Sequence, residues 1–209
     1  MSILSKFKKT EKSQPPKPQN WKQALFRDLD VIYVFVIFMI AYVLLFRVAV
    51  VTGTSMNQTL LDGDVLLLVN NTIYHNPRQG DIIVASKDSF RDGECIVKRV
   101  IATEGQRVDI DFENRIVYVD DQPLEESYAF FQAFDDDPMT QQGISFPLVV
   151  DDGCIFVLGD NRNNSMDSRN PQIGLIDQRE ILGKAIFLLL PGTNDGEVPA
   201  DYSRIGGLD

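Results

Sequence analysis

The sequence predicts a mainly β protein, an antiparallel β-sheet domain preceded by one transmembrane helix. Two patterns support this prediction. Residues 31–46 form an unbroken apolar run, and the chain after residue 51 divides into short apolar runs separated by Gly, Asp, Asn and Pro. Short runs bounded by turn residues are typical of antiparallel strands, and no long amphipathic helix is evident after residue 51.

The first 28 residues are predicted to be a basic tail in the cytoplasm. Residues 1–30 contain seven Lys or Arg and three Asp or Glu. Basic residues flanking an apolar span stay on the cytoplasmic side of the membrane. The sequence Pro15-Pro16-Lys17-Pro18 is typical of a disordered segment.

Residues 29–51 are predicted to be a transmembrane signal-anchor. The uninterrupted run has 16 apolar residues, and a spanning helix needs about 20, so the span extends beyond both ends of the run. A buried core helix is disfavoured because the run is apolar on every face. A cleavable signal peptide is disfavoured because the run is long and no small-residue cleavage site follows it.

Residues 52–209 are predicted to form an extracytoplasmic, extracellular β domain. Residues 48–209 contain 12 Lys or Arg and 27 Asp or Glu. A strongly acidic domain excludes nucleic acid as a partner, because nucleic-acid binding requires a basic surface. The segment at about 120–150 fits the strand rhythm poorly and is predicted to be an inserted, cap-like segment.

Seven strands are predicted in this domain. Turn signals such as Asp62-Gly63 and Asp152-Gly153 separate them. The strands are Val65–Val69, Asp81–Ala85, Cys95–Ala102, Arg107–Ile110, Arg115–Val119, Cys154–Leu158 and Lys184–Leu190.

The histidine and cysteine content limits the chemistry. His75 is the only histidine, so an HExxH metalloprotease is excluded and a Ser–His–Asp triad would have to use that residue. Cys95 and Cys154 are too few for a disulfide framework and have the wrong spacing for a zinc site. They are either two buried thiols or one bridge. We expect no metal or cofactor.

Three segments contain candidate reactive groups, and the first surrounds Ser55. The sequence V-T-G-T-S-M-N-Q-T-L, residues 51–60, directly follows the predicted span. A serine beside glycine and threonine is also compatible with a simple turn. The segment alone therefore leaves both interpretations open.

The second segment is the predicted strand C-I-V-K-R-V-I, residues 95–101, which contains Lys98. Its neighbours on both faces are apolar, so the lysine is expected to lose hydration and its pKa is expected to fall. Such a lysine accepts a proton from a serine near neutral pH. The alternative is an edge-strand lysine whose ammonium group reaches water.

The third segment is the polar loop L-G-D-N-R-N-N-S-M-D-S-R, residues 158–169, which follows a predicted strand. It lacks the acidic spacing of an EF-hand calcium loop. Its Asp and Arg residues are suited to bidentate pairs that fix a loop. A solvated turn remains the alternative.

Together and in this order, the three segments resemble the motifs of the type I signal peptidases. Asp62-Gly63-Asp64-Val65 and R-Q-G-D-I-I-V, residues 78–84, resemble a further motif of the family, and the resemblance covers most of residues 29–190. It implies a membrane-bound serine endopeptidase that removes signal peptides from translocated preproteins. The single anchor and Gly53 are similar to the Gram-positive branch.

The resemblance also implies roles for individual residues. Ser55 is the nucleophile and Lys98 the general base, while Ser165 hydrogen-bonds the lysine. Asp167 with Arg99 and Arg169, and Asp160 with Arg162, hold the site together. Gly53 leaves oxyanion stabilisation to backbone N–H groups, chiefly that of Ser55. The residues expected to contact the substrate are Met56, Leu60, Ile96 and Val97.

Three other functions are compatible with parts of the sequence but are disfavoured. A self-cleaving repressor with the same fold needs a DNA-binding head, and this chain has an apolar span instead. A non-catalytic, membrane-tethered binding module predicts a lost serine or lysine, and both are present. A dyad of Ser55 and His75 is disfavoured because no motif surrounds the histidine. The expected partners are preproteins and the lipid membrane.

Overall fold

The computed structural model describes residues 21–87, 90, 93–131, 139–194, 196 and 198–208, with only the backbone for 21–28. The chain divides into two compact units, residues 1–41 and residues 42–209. Most of the predicted basic tail, residues 1–20, lies outside the described residues.

Helix α1 spans Trp21–Leu45. Its side chains from Leu29 to Leu45 are largely exposed, Tyr33 by 68% and Phe38 by 66%. Thr72 Oγ1 donates a hydrogen bond to the Leu44 carbonyl at 2.9 Å, which satisfies one of the carbonyls at the helix end. Of the described helical residues, no stretch is both long and apolar enough to cross a membrane.

The predicted span of residues 29–51 is wrong at its C-terminal end. The helix ends at Leu45, and Phe46–Val50 form strand β1. Strand β1 pairs antiparallel with residues 65–69, so its backbone groups bond to another strand instead of continuing the helix. Alternating β-branched residues, Val48 and Val50, suit this pairing.

The remaining strands of the described chain are β2 (Val65–Asn70), β3 (Ile82–Ser86), β4 (Cys95–Thr103), β5 (Arg107–Asp111), β6 (Ile116–Val119), β7 (Gln122–Pro123), β8 (Leu148–Val149), β9 (Cys154–Leu158), β10 (Ile176–Asp177), β11 (Ile181–Leu190) and β12 (Gly206–Gly207). Two short 3-10 helices span Gln178–Glu180 and Tyr202–Arg204. The seven predicted strands correspond to β2, β3, β4, β5, β6, β9 and β11, each within a few residues.

The strands form two sheets, and all their pairings are antiparallel. The larger sheet has the order β1-β2-β11-β3-β4-β9-β10, with β12 paired to β11. The smaller sheet has the order β7-β6-β5-β8. The predicted mainly antiparallel β domain is therefore confirmed. The segment at about 120–150 supplies β7 near its start and β8 near its end, so both of its ends belong to the smaller sheet.

Strand β4 lies between β3 and β9 in the larger sheet and is buried from Lys98 to Ala102. Its C-terminal residues Ile101 and Ala102 share an apolar cluster with Val108 of β5 and Phe156 of β9. This cluster joins the two sheets. A second cluster contains Leu66 and Leu68 of β2 and extends to the chain just after β1. These contacts hold β4 in place at the centre of the domain.

The two cysteines do not form a bridge. Cys95 is the first residue of β4 and Cys154 is the first residue of β9. In the antiparallel register, Thr103 at the far end of β4 pairs with Ile155. The cysteines therefore lie near opposite ends of β4, beyond the reach of a disulfide. Both thiols are free.

Candidate active site

The segment after β1 is a compact turn that carries Ser55. Gly53 begins it with a φ of +86°, a conformation that favours glycine, and donates its N–H to Asp62 Oδ1 at 2.5 Å. Met56 and Leu60 are 1% and 0% exposed and belong to the apolar cluster under the turn. We call residues 54–60 the nucleophile turn. Its buried side chains fix the backbone that follows Ser55.

Lys98 and Ser55 are in direct contact. Lys98 Nζ lies 2.7 Å from Ser55 Oγ and donates a second hydrogen bond to the Val97 carbonyl at 3.0 Å. The two residues are brought together by the central position of β4. When the amine is neutral, its lone pair is placed to accept the serine proton.

Burial shifts the protonation of Lys98 toward the neutral amine. The side chain is 4% exposed. Desolvation lowers its pKa from 10.5 to about 8, although the carboxylates of Asp167 and Asp160 oppose this effect. The positive charge of Arg169 adds a further lowering contribution to the Lys98 pKa. The predicted loss of hydration for a lysine among apolar neighbours matches this environment.

Ser55 and Lys98 lie in a cleft of about 860 Å³. Ile96 and Val97 line this cleft, as expected of substrate-contacting residues. Met56 and Leu60 do not line it. Both are packed in the core beneath the nucleophile turn, and their expected contact with substrate stays a prediction. The further lining residues include Ala49, Val51, Thr52, Val84, Phe90, Gln142, Asn163 and Met166.

Arg99 pairs with Asp160, not with Asp167 as expected. Its Nε and Nη2 atoms donate to the two Asp160 oxygens at 2.9 and 2.7 Å. The reason is the register between β4 and β9, in which Arg99 lies opposite Leu158. Asp160 follows Leu158 by two residues and so reaches the guanidinium directly.

The expected pair of Asp167 and Arg169 is present and fully buried. Arg169 Nε and Nη2 each donate to Asp167 at 2.8 Å, and both side chains are 0% exposed. Asp167 also accepts the Gly159 N–H at 3.0 Å. This pair holds the loop against the end of β9.

Arg162 pairs with Glu126, not with Asp160. Its Nη1 and Nη2 atoms donate to the Glu126 carboxylate at 2.7 and 2.5 Å. Tyr128 stacks on Arg99, whose guanidinium carbon lies 3.9 Å from the ring centroid. The Phe130 N–H donates to the Asp160 carbonyl at 2.7 Å.

Glu126, Tyr128 and Phe130 were missed from the sequence because no motif surrounds them. Arg162 and Arg169 are both fully buried and each requires an acidic partner, which is the one signal that could have led to Glu126.

Ser165 does not hydrogen-bond the lysine. Its side chain is 7% exposed and lines the cleft, but Ser165 Oγ has no partner among the described residues. It packs against Gly159 instead: a Cβ on Gly159 would lie 2.1 Å from Ser165 Oγ and 2.5 Å from the Ser55 carbonyl oxygen. Gly159 is therefore a residue of the site in its own right, because only glycine permits this approach.

Two asparagines of the polar loop hydrogen-bond to the nucleophile turn. Asn161 donates its backbone N–H to the Ser55 carbonyl at 3.0 Å and its side-chain amide to the Thr54 carbonyl at 3.1 Å. Asn164 donates to Thr54 Oγ1 at 2.9 Å. The Ser55 N–H has no acceptor among the described residues.

His75 lies away from Ser55, in a separate cavity of about 350 Å³ that Tyr74 and Arg179 also line. It does not line the cleft of the serine. A dyad of Ser55 and His75 is therefore contradicted. In the parts of the chain that the structure describes, no cluster of three or more His, Cys, Asp or Glu is suited to a metal ion.

A serine in contact with a buried lysine of lowered pKa, within an open cleft, defines a candidate serine–lysine hydrolase site. The signal peptidase, peptidase S26, family model matches residues 26–190. The chain belongs to this family and is a serine endopeptidase. The predicted family and function, those of a type I signal peptidase, are therefore confirmed.

Several relatives match over most of their length. The probable signal peptidase I-1 of Synechocystis sp. is 35% identical over 88% of this chain and 91% of its own. The signal peptidase I of Bacillus licheniformis is 31% identical over 84% of this chain and 94% of its own. The crystal structure of a signal peptidase I from Enterococcus faecalis V583 is 29% identical, with a TM-score of 0.43 over 52% of this chain and 96% of that chain.

Proposed function

We propose that this chain is a membrane-bound endopeptidase that removes N-terminal signal peptides from translocated preproteins, with Ser55 as nucleophile and Lys98 as general base. The observation that supports these roles is the 2.7 Å contact between Lys98 Nζ and Ser55 Oγ. The lowered pKa of Lys98, about 8, keeps a substantial neutral fraction near physiological pH.

Acylation begins when neutral Lys98 takes the hydroxyl proton of Ser55. Ser55 Oγ then attacks the scissile carbonyl carbon, and the carbonyl oxygen becomes an oxyanion. The Ser55 N–H is the donor available to this oxygen. As the tetrahedral intermediate collapses, the C–N bond breaks and Lys98 delivers its proton to the departing amine.

Deacylation uses the same base. After the mature protein leaves with its new amino terminus, water enters the cleft and Lys98 removes its proton as the water attacks the ester carbon of the acyl-enzyme. The ester bond to Ser55 Oγ breaks, the serine recovers a proton from Lys98, and the signal peptide is released as a carboxylic acid that gives its proton to water. No metal or cofactor takes part in these steps.

Gly53 contributes the shape of the turn. Its N–H is already bonded to Asp62 Oδ1, so it is not the oxyanion donor. Arg99, Asp160, Asp167 and Arg169 act through the two buried ion pairs that fix the polar loop. Ser165 Oγ is buried against Gly159 and has no hydrogen-bond partner among the described residues, so it has no role in the proposed steps.

The membrane location follows from the charge and hydropathy of the N-terminal part. The basic tail stays in the cytoplasm, the apolar segment spans the bilayer once, and residues 52–209 lie outside the cell. Ser55 follows Phe46 by nine residues, so an extended chain places it within about 30 Å of the end of the apolar run. A substrate cut there is itself tethered to the membrane, as a translocated preprotein is.

The cleft favours an extended peptide. Strand β4 lines it with Ile96 and Val97, and residues 49–53 line it as well. A peptide between them is placed to bond to backbone groups as an added strand. The family resemblance implies small residues at the P1 and P3 positions.

Cleavage of a labelled preprotein by the purified protein in detergent tests this proposal, with S55A, K98A and H75A beside the wild type. Loss of the general base is expected to lower kcat by about 10²–10⁴-fold. S55A is expected to be inactive and H75A to retain the wild-type rate, since His75 lies in another cavity. If K98A cuts at the wild-type rate, the base is misassigned. If the wild type binds preprotein without cutting it, the chain is a binding module.

A further inference from the structure

The residues after 190 lie outside the range that the family model matches, 26–190. The described part of this extension ends in residues 198–208, which we call the C-terminal arm. It contains the 3-10 helix Tyr202–Arg204 and strand β12. Its contacts converge on the chain around the nucleophile turn.

Arg204 connects the arm to the nucleophile turn. Its Nη1 and Nη2 atoms donate to Asp64 Oδ1 and Oδ2 at 3.0 and 2.6 Å, and Nη2 also donates to the Thr59 carbonyl at 3.3 Å. Asp64 is 0% exposed, and the Arg204 side chain is 20% exposed. A bidentate pair with a buried carboxylate defines the position of both partners.

Asp64 passes this constraint to the turn. Its Oδ2 accepts the Leu61 N–H at 2.8 Å, directly after the turn. Its Oδ1 accepts the Gly192 N–H at 2.6 Å, where the chain leaves β11. A Cβ on Gly192 would lie 2.1 Å from the Asp62 carbonyl oxygen, so glycine is required at this crossing. The extension is thus attached near both of its ends to one buried carboxylate.

The arm also closes the core beneath the nucleophile. Leu208 packs against the apolar cluster that contains Met56 and Leu60. Strand β12 holds Leu208 there, because Gly206 and Gly207 pair with Leu188 and Phe187 of β11. The end of the arm therefore packs against the same apolar cluster as the two residues that anchor the turn.

Thr59 joins the arm to the lysine side of the site. Its carbonyl accepts from Arg204, and its hydroxyl donates to Asp160 Oδ2 at 2.6 Å. Asp160 in turn pairs with Arg99, the neighbour of Lys98 on β4. One threonine is therefore held from the arm on one side and from β4 on the other.

We propose that the C-terminal arm fixes the nucleophile turn and that Arg204 is a positioning residue for Ser55, acting through Asp64 and Thr59. The inference rests on the proposed role of Ser55. Without Arg204, the buried Asp64 loses its counter-charge, and Thr59 loses one of its two hydrogen bonds. Ser55 then moves relative to Lys98. The effect falls on the rate of acylation and not on substrate affinity, because no arm residue lines the cleft.

The test compares R204Q with the control R179Q in the full-length protein. Arg179 pairs with Asp177, is 89% exposed and lies away from the cleft. We expect R204Q to lower the kcat for preprotein cleavage by about tenfold, with KM within about twofold of the wild type. The pH midpoint is expected to stay near 8, since Arg204 is not among the groups that shift the Lys98 pKa. R204K is expected to recover part of the rate.

A second variant ends the chain after Pro199 and so removes Arg204 and Leu208 together. We expect a kcat loss of about 100-fold, larger than that of R204Q. The proposal is overturned if R204Q turns over like R179Q, if only KM changes, or if the loss disappears once rates are divided by the folded fraction from near-UV circular dichroism. K98A in parallel separates the two ideas: an active K98A rejects the Ser–Lys mechanism, whereas an inactive K98A beside a fully active R204Q rejects only the role of the arm.

Discussion

The surroundings of Lys98 set the pKa of its amine. Free lysine holds its proton up to a pKa of 10.5, whereas burial here lowers that pKa to about 8. Asp160 and Asp167 each hold an arginine and also oppose the shift in Lys98. The balance leaves the amine basic enough to accept the serine proton and neutral often enough to do so.

The pH dependence of cleavage follows from this pKa. In the proposed mechanism the active form of Lys98 is the deprotonated amine, so kcat/KM is expected to rise with pH through a midpoint near 8 and to level off above it. At two pH units below the midpoint, the rate is expected to be about 100-fold lower than on the plateau. Initial rates on a preprotein between pH 5.5 and about 9.5 measure the profile. A flat profile would exclude Lys98 as the base.

At the residue scale, the sequence predicted that Ser55 and Lys98 come together but misassigned several supporting partners. Ser55 and Lys98 belong to short, ordered motifs, and their neighbours are local. The partner of Arg99 depends on the register of β4 against β9, which no local pattern specifies. Glu126 is 36 residues from Arg162, and only the folded chain brings the two together.

Among the elements, the polar loop of residues 158–169 depends on buried ion pairs. Asp167 and Arg169 are both 0% exposed, so neither can exchange its partner for water. Removing one member of such a pair leaves an uncompensated charge in the interior. The pair of Asp177 and Arg179 is much less dependent on mutual neutralisation, because the Arg179 side chain is 89% exposed and water screens the charges.

The variant D167N is expected to lower the free energy of unfolding by about 3–5 kcal/mol, because Arg169 stays buried without its counter-charge. The matched control is D177N, whose urea midpoint is expected to match the wild type. Equilibrium urea unfolding followed by fluorescence gives both values. Equal midpoints for D167N and D177N would show that the loop does not depend on the buried pair.

Gly159 makes a second prediction for the same loop. In G159A, the new Cβ would overlap Ser165 Oγ and the Ser55 carbonyl, and a displacement of about 1 Å at a reacting group costs about 100-fold in kcat. The control is G206A, whose added Cβ has its nearest neighbour at 4.0 Å. Comparing kcat of the two variants on a preprotein tests the prediction. Equal rates would mean that the loop moves aside without disturbing Ser55.

Most strands were predictable because each is an apolar run between turn residues. Strand β1 was missed because its sequence, F-R-V-A-V, continues the apolar run of the helix and has no turn signal before it. The two-residue strands β7, β8, β10 and β12 carry too few residues for a periodic pattern. Their positions depend on the strands with which they pair.

The whole molecule consists of two units, and the larger one, residues 42–209, contains both sheets and the complete cleft. A unit with its own apolar core is expected to fold without the rest of the chain. In the proposed function, residues 1–41 serve to bring this unit to the membrane, where its substrates are.

A chain that begins at Tyr42 tests this division. We expect it to cut a short soluble peptide within about twofold of the full-length rate, because the cleft is intact. On a preprotein embedded in vesicles, its rate is expected to fall, since the two reactants no longer share a surface. The ratio of the two rates, full length against shortened chain, is the measurement. An equal loss on both substrates would assign residues 1–41 a part in the fold of the larger unit.

Helix α1 passes directly into β1 at Phe46, so no linker separates the helix from the strand that leads to the nucleophile turn. Strand β1 is held along its length by β2, and the turn that follows is anchored by buried side chains. An inserted residue in β1 would not simply lengthen this connection, because it would exchange the inner and outer faces of the strand. In the proposed function, the register of β1 against β2 therefore limits how far from the bilayer Ser55 can act.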